Sequence, residues 1–73
     1  MKLDPSESAA TILHRMYIGK GFCAGPRFPG NTIRKAFAKL EKVGALSVSE
    51  RGSFVITPEA KDWLHANHLA IRD

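Results

Sequence analysis

Four of the 73 residues are phenylalanine, with one tryptophan and one tyrosine, and cysteine occurs once, at Cys23. A lone cysteine excludes an internal disulfide, and a reducing, cytoplasmic location is the expectation. No apolar run approaches the ~20 residues that a bilayer-spanning helix needs, so no membrane role is expected. The opening Met-Lys-Leu-Asp-Pro-Ser-Glu lacks the apolar core of a signal peptide. Carboxylates are scarce too, seven in all, and no pair is forced together by spacing. Most sit near helix starts or chain ends, so paired acid–base chemistry has no foundation here. There is no Gly-x-x-x-x-Gly-Lys-Ser/Thr run after a strand, which excludes a phosphate-binding loop of that type. A core this small leaves no room for a substrate pocket around Cys23, so an enzyme is not expected, and no cofactor is implied. His65 and His68 lie three apart, but two histidines without a third ligand read as a solvated helix end rather than a metal site.

What is present is 44% hydrophobic and 25% charged, the balance of a globular protein, at a length that makes residues 1–73 one small domain. The net charge of +4 is unevenly spread. Residues 20–42 hold Lys20, Arg27, Arg34, Lys35, Lys39 and Lys42 against Glu41 alone, a net of +5. The remaining segments come to zero and −1. A local field of this kind attracts polyanions, nucleic acid above all; the plainer alternative is a helix face kept basic for solubility.

The basic segment centres on a helix. Ile33, Ala36, Phe37, Leu40 and Val43 recur at spacings of three and four and form one apolar face. At ~100° per residue, Asn31, Arg34, Lys35, Ala38 and Lys42 fall opposite, with Lys39 on the flank. Asn31 is the expected N-cap and Gly44 the stop. Before it, Asp4-Pro5-Ser6-Glu7 has the signature of a capped start, Asp4 as cap, Pro5 at the first helical position and Glu7 reaching back. Ala9, Ile12, Leu13, Met16 and Tyr17 then predict a helix of about three turns, ending near Ile18 or Gly19. Residues 19–30 hold four of the six glycines and two of the four prolines, which argues against a full helix there. Phe22 and Phe28 are read as plugging this loop onto the core rather than as base-stacking platforms.

Beyond Gly44, Leu46 and Val48 alternate with Ser47 and Ser49, the pattern of a half-buried strand. Glu50-Arg51-Gly52-Ser53 makes a short turn with Arg51 at its tip, and Phe54 and Ile56 share a face of the returning strand. Thr57-Pro58 opens a last helix, with Trp63 as its core anchor and a short tail, Leu69 to Asp73, free to fray.

The order is therefore α+β: helix, Gly/Pro-rich loop, basic helix, two-stranded hairpin, C-terminal helix. Thr32-Ile-Arg-Lys-Ala-Phe-Ala-Lys-Leu-Glu-Lys-Val-Gly-Ala-Leu46 resembles the recognition helix, glycine stop and first wing strand of a winged helix-turn-helix. Phe54-Val-Ile-Thr-Pro-Glu-Ala-Lys-Asp-Trp-Leu64 resembles the second wing strand and the Thr-Pro-Glu opening found in small bacterial winged-helix regulators, the multiple-antibiotic-resistance type among them. The resemblance covers residues 31–64 and departs from the pattern in lacking a good second helix before the turn. It implies a helix that enters the major groove of double-stranded DNA and a wing that reaches backbone or minor groove. Asn31, Thr32, Arg34, Lys35 and Ala38 would face the groove, Arg34 suited to guanine and Asn31 to adenine. Lys35, Lys39 and Lys42 would meet phosphate, Arg51 and Ser53 are the wing contacts, and Lys20 and Arg27 are phosphate contacts from the loop.

The expected function is sequence-specific DNA binding by a small transcriptional regulator of bacterial or phage type, acting as a homodimer or cooperative array because one such domain reads few base pairs. The reduced second helix motivates an alternative: a protein-interaction module on a winged-helix scaffold, docking on a host protein or nucleic-acid complex as small phage inhibitors do.

Overall fold

The computed structural model describes residues 1–20, 25 and 28–71. Phe22, Cys23 and Arg27 lie outside the described residues, as does half of the Gly/Pro-rich stretch 19–30. Three helices and one hairpin follow in order: α1 (Ser8–Ile18), α2 (Gly30–Lys42), β1 (Leu46–Val48), β2 (Phe54–Ile56) and α3 (Pro58–Asn67).

The first helix begins later than its capping signature suggests. Asp4 Oδ1 accepts from the Ser6 amide at 2.9 Å and from Ser6 Oγ at 2.8 Å, closing a local turn over residues 4–7. A short acceptor side chain that finds a donor two residues on stabilises a turn in competition with the helix. Glu7 becomes the N-cap position without a capping side-chain bond, and its carboxylate serves elsewhere. The helix then buries Ala9, Ala10, Thr11, Ile12 and Leu13. Met16 packs at the edge of the core and Tyr17 is partly exposed, so the predicted stripe is buried deepest over its first half.

α1 and α2 end alike. In each, a glycine with positive φ (Gly19 at 78°, Gly44 at 82°) follows the last turn. The Lys20 amide donates to Arg15 O and the Ala45 amide to Leu40 O, and inside these the Gly19 amide donates to Met16 O and the Gly44 amide to Glu41 O. This is the Schellman arrangement, which satisfies carbonyls that a helix end leaves unpaired. It also turns the chain sharply, and after α2 it delivers Ala45 and Leu46 straight into the core, where both are buried.

The start of α2 corrects a second expectation. Pro29, not Asn31, occupies the N-cap position, the Ile33 amide donates to Pro29 O at 3.1 Å, and no side chain caps the helix. Asn31 lies within the exposed first turn. The apolar face is as read: Ala36 and Leu40 are buried, and Ile33, Phe37 and Val43 pack against the core.

β1 and β2 pair antiparallel with Leu46 opposite Ile56, Ser47 opposite Val55 and Val48 opposite Phe54. Ser49 and Ser53 close the turn, the Ser49 amide donating to Ser53 O at 2.7 Å and the Gly52 amide to Ser49 O at 2.9 Å. Gly52 takes φ 79°, so Glu50, Arg51 and Gly52 form a three-residue loop with glycine in the left-handed position. The base of the hairpin joins the core through Leu46 and Ile56, whereas Val48 and Phe54 project beyond it. Phe54 stacks on Phe37 of α2, centroids 5.0 Å apart and planes 23° from parallel.

Thr57 fastens the hairpin, α2 and α3 together. Its hydroxyl accepts from the Ala60 amide at 3.3 Å as a true N-cap and donates to Gly44 O at 2.6 Å; its own amide donates to Ala45 O at 3.1 Å. Pro58 sits at the first helical position, where its missing N–H costs nothing. Ala60 and Leu64 are the fully buried residues of α3, and Trp63 packs beside them half-buried rather than closing the core alone. The tail is not left to fray throughout: the Ala70 amide bonds Asn67 O and Ile71 is buried. Leu3 is buried and Met1 packs against the core, so residues ahead of α1 help to complete it. No helix among the described residues is long and apolar enough to cross a membrane.

Candidate nucleic-acid interface

The core contacts of α2 decide what its other side displays. With Ala36 and Leu40 inward, Asn31, Arg34, Lys35, Ala38 and Lys42 are all exposed, and Thr32 is half-buried. The helix thus presents one amide and three cations along a surface of three turns. Its first turn adds backbone donors: the first intrahelical bond is that of Ile33, and no side chain accepts from the amides before it. A helix N-terminus with open amides favours negative charge through both hydrogen bonding and the macrodipole.

Lys39 differs from its neighbours. Its Nζ lies 2.6 Å from Glu7 Oε1 and 2.5 Å from Glu7 Oε2, a two-oxygen grip across the α1–α2 contact. Both side chains are about one-third to two-fifths exposed. The cation assigned to phosphate is therefore already partnered by a carboxylate of the same chain. Sequence spacing places Lys39 on the flank of α2 but cannot show that the turn at Asp4 swings Glu7 onto it. A groove lined by Ser6, Glu7, Ser8, Ala9, Thr32, Lys35, Ala36 and Lys39 runs along this contact, with a volume of about 410 Å³.

The hairpin carries Arg51 and Ser53, both exposed, the Ser53 amide donating to Ser49 Oγ at 3.2 Å. Lys20 is exposed just after α1. Arg27 lies outside the described residues. On the hairpin Val48, Phe54 and Val55 are 55%, 41% and 47% exposed, which their strand alternation does not signal. The alternation of Leu46 and Val48 is real, but only the base of the strand reaches a core.

The two histidines weighed as metal ligands have structural partners. His65 Nε2 and Tyr17 Oη share a hydrogen bond of 3.0 Å, with the rings edge to face at 5.7 Å. His68 Nδ1 donates to His65 O at 3.0 Å. Among the described residues no group of three or more histidines, cysteines or carboxylates could hold a metal ion. Asp4 has a carboxyl held below the ordinary carboxylate value by the Ser6 amide and then the Ser6 hydroxyl; it is fully exposed. No protein-family model, curated protein or solved structure matches the chain.

Proposed function

We propose that the chain is a winged-helix protein that binds double-stranded DNA, α2 serving as recognition helix and the β1–β2 hairpin as wing. The observation that carries this reading is the outward face of α2, where Asn31, Arg34, Lys35 and Lys42 stand exposed beside uncapped N-terminal amides. An α-helix fits the major groove, and residues at the N-terminal end of such a helix reach base edges. Arg34 offers a bidentate donor pair to guanine and Asn31 a donor and acceptor to adenine. Lys35 and Lys42 meet phosphates, which set register without reading sequence. Arg51 at the hairpin tip extends the contact along the backbone. The role that follows is a small bacterial or phage transcriptional regulator, working as a homodimer or array in the cytoplasm, where its DNA is.

The test is fluorescence anisotropy of a labelled random duplex at two salt concentrations, repeated with Arg34→Ala/Lys35→Ala. Salt-sensitive binding that the double variant loses is the expected result. Each phosphate contact contributes about 0.9 to the slope of log affinity against log salt. A folded protein that binds no duplex at low salt rules the reading out.

The apolar hairpin favours one competing reading, a protein-interaction module. Half-exposed Val48, Phe54 and Val55 offer an apolar centre to a protein partner. Binding through such a surface depends on salt much less steeply than phosphate contact does, so the same titration separates the two.

A further inference from the structure

Besides the outward face of α2, the C-terminal half of that helix borders an open groove of about 620 Å³ lined by Lys2, Ala38, Lys39, Lys42 and Val43. Its construction follows from helix spacing. Ala38 and Lys42 lie one turn apart on one row, and Lys39 and Val43 lie one turn apart on the next. The small Ala38 leaves a notch between long neighbours. The opposite wall is Lys2, held there because the adjoining Leu3 is buried in the core and the Met1 ammonium lies 3.3 Å from Glu59 Oε1.

The charges of this groove are not equivalent. Lys39 is gripped by Glu7. Lys2 and Lys42 are exposed, and among the described residues neither is in an ion pair. The groove thus joins an apolar floor, the methyls of Ala38 and Val43 with the methylene stems of the lysines, to two unneutralised ammoniums. Lysine commonly divides itself this way, stem against apolar surface and head in water. A phosphodiester would neutralise the ammoniums and leave the floor wet. A neutral hydrocarbon would cover the floor and leave the ammoniums unpaired. A molecule with both an apolar tail and an anionic head satisfies both, and the volume lies in the range of small-molecule sites.

We propose that this groove binds an aliphatic carboxylate of medium chain length, its tail on Ala38 and Val43 and its head between Lys2 and Lys42. Because Lys42 is also a proposed phosphate contact, occupancy opposes duplex binding. That consequence rests on the DNA-binding reading, whereas the groove itself does not.

The test uses decanoate below its micellar concentration, with the full chain observed by NMR at the Ala38 and Val43 methyls and the Lys2 and Lys42 side chains. Saturable shifts confined to these residues are expected, with octanoate roughly fivefold weaker because two methylenes are lost from a partly open site. Lys2→Ala, which lies outside the proposed duplex face, is expected to weaken decanoate at least fivefold and leave the fold unchanged. Non-saturating shifts, equal binding of decanol, indifference to Lys2→Ala, self-association through the groove, or displacement of decanoate by a tighter acidic peptide would each overturn the assignment. In a parallel titration, decanoate is expected to weaken duplex binding by wild type and to have much less effect on Lys2→Ala. If wild type binds duplex and decanoate leaves it unchanged, the coupling is overturned. If wild type binds no duplex, the functional reading fails and the NMR result alone decides the groove.

Discussion

α2 and α3 are fastened to one core by the same means and present opposite surfaces. Each buries an alanine and, one turn later, a leucine: Ala36 and Leu40 in α2, Ala60 and Leu64 in α3. Outward, α2 carries Arg34, Lys35, Lys39 and Lys42 against Glu41, whereas α3 carries Lys61 against Glu59 and Asp62. Of two helices packed alike, only α2 carries an excess of positive charge. The ends differ as well. α3 is closed by the Thr57 hydroxyl, with Glu59 in its first turn complementing the macrodipole; α2 begins with neither a cap nor an acid. Local stability has been completed at one helix start and left open at the other.

The largest effects should fall on what the two helices share. Leu40→Ala and Leu64→Ala each remove a fully buried side chain. Each should cost about 2–5 kcal/mol, since lost burial and the remaining cavity add. For a domain of this length, with ~4–11 kcal/mol in total, that is a large share. Urea midpoints of the two variants should drop by comparable amounts. If only one drops, the helices are not equivalent members of the core and the comparison fails.

The next effect separates them. Arg34→Ala/Lys35→Ala should lower duplex affinity tenfold or more at low salt with an unchanged thermal midpoint, while Lys61→Ala on α3 should leave affinity within twofold. Equal losses would mean that binding follows total charge and not the face of α2. Thr57→Ala then tests the difference at the helix starts. It removes the cap and the 2.6 Å bond to Gly44 O, and should cost about 1–2 kcal/mol by urea titration. Thr57→Ser, which keeps the hydroxyl, should recover most of it.

How much of this was legible follows from how local each signal is. Helix faces, glycine stops and the Thr57-Pro58 start depend on neighbours within one or two turns, and they stand as read. The two misread starts failed for local reasons of a different kind. Asp4 prefers a donor two residues away, and Pro29 fixes its own φ near −57° just ahead of α2, taking the cap position from Asn31. What sequence could not give was contact across elements: Lys39 on Glu7, Phe54 on Phe37, Tyr17 on His65, and Leu3 and Ile71 in the core. The outward residues of α2 were legible because an apolar face implies its opposite. The availability of Lys39 was not, because it depends on a residue 32 positions away.

The Lys39–Glu7 pair turns that gap into a prediction with two readouts of opposite sign. Both side chains are partly exposed, so Glu7→Gln should destabilise the fold by less than about 1 kcal/mol. The same change releases an ammonium on the flank of α2. Duplex affinity should therefore rise, and the salt slope steepen by about 0.9 if Lys39 gains a phosphate. Unchanged affinity would place Lys39 outside the interface and confine the contact to the row of Arg34, Lys35 and Lys42.

The smallest effect concerns the turn that brings Glu7 to Lys39. Two hydrogen bonds from Ser6 stabilise the ionised form of Asp4 and lower its pKa in the folded state below the ordinary 3.8. Its contribution to stability is accordingly present in full above the unfolded value and is lost as pH falls through the lower folded value. Asp4→Asn keeps an acceptor oxygen but removes the charge. The difference in urea midpoint between wild type and Asp4→Asn should be constant from pH 7 down to about 5 and shrink below 3.8. A difference that persists at pH 2 would mean that the turn is held by the shape of the side chain and not by its charge. Since the carboxylate is fully exposed, the effect should also diminish in high salt insofar as the Lys39 ammonium, the weakest of the contributing causes, assists it.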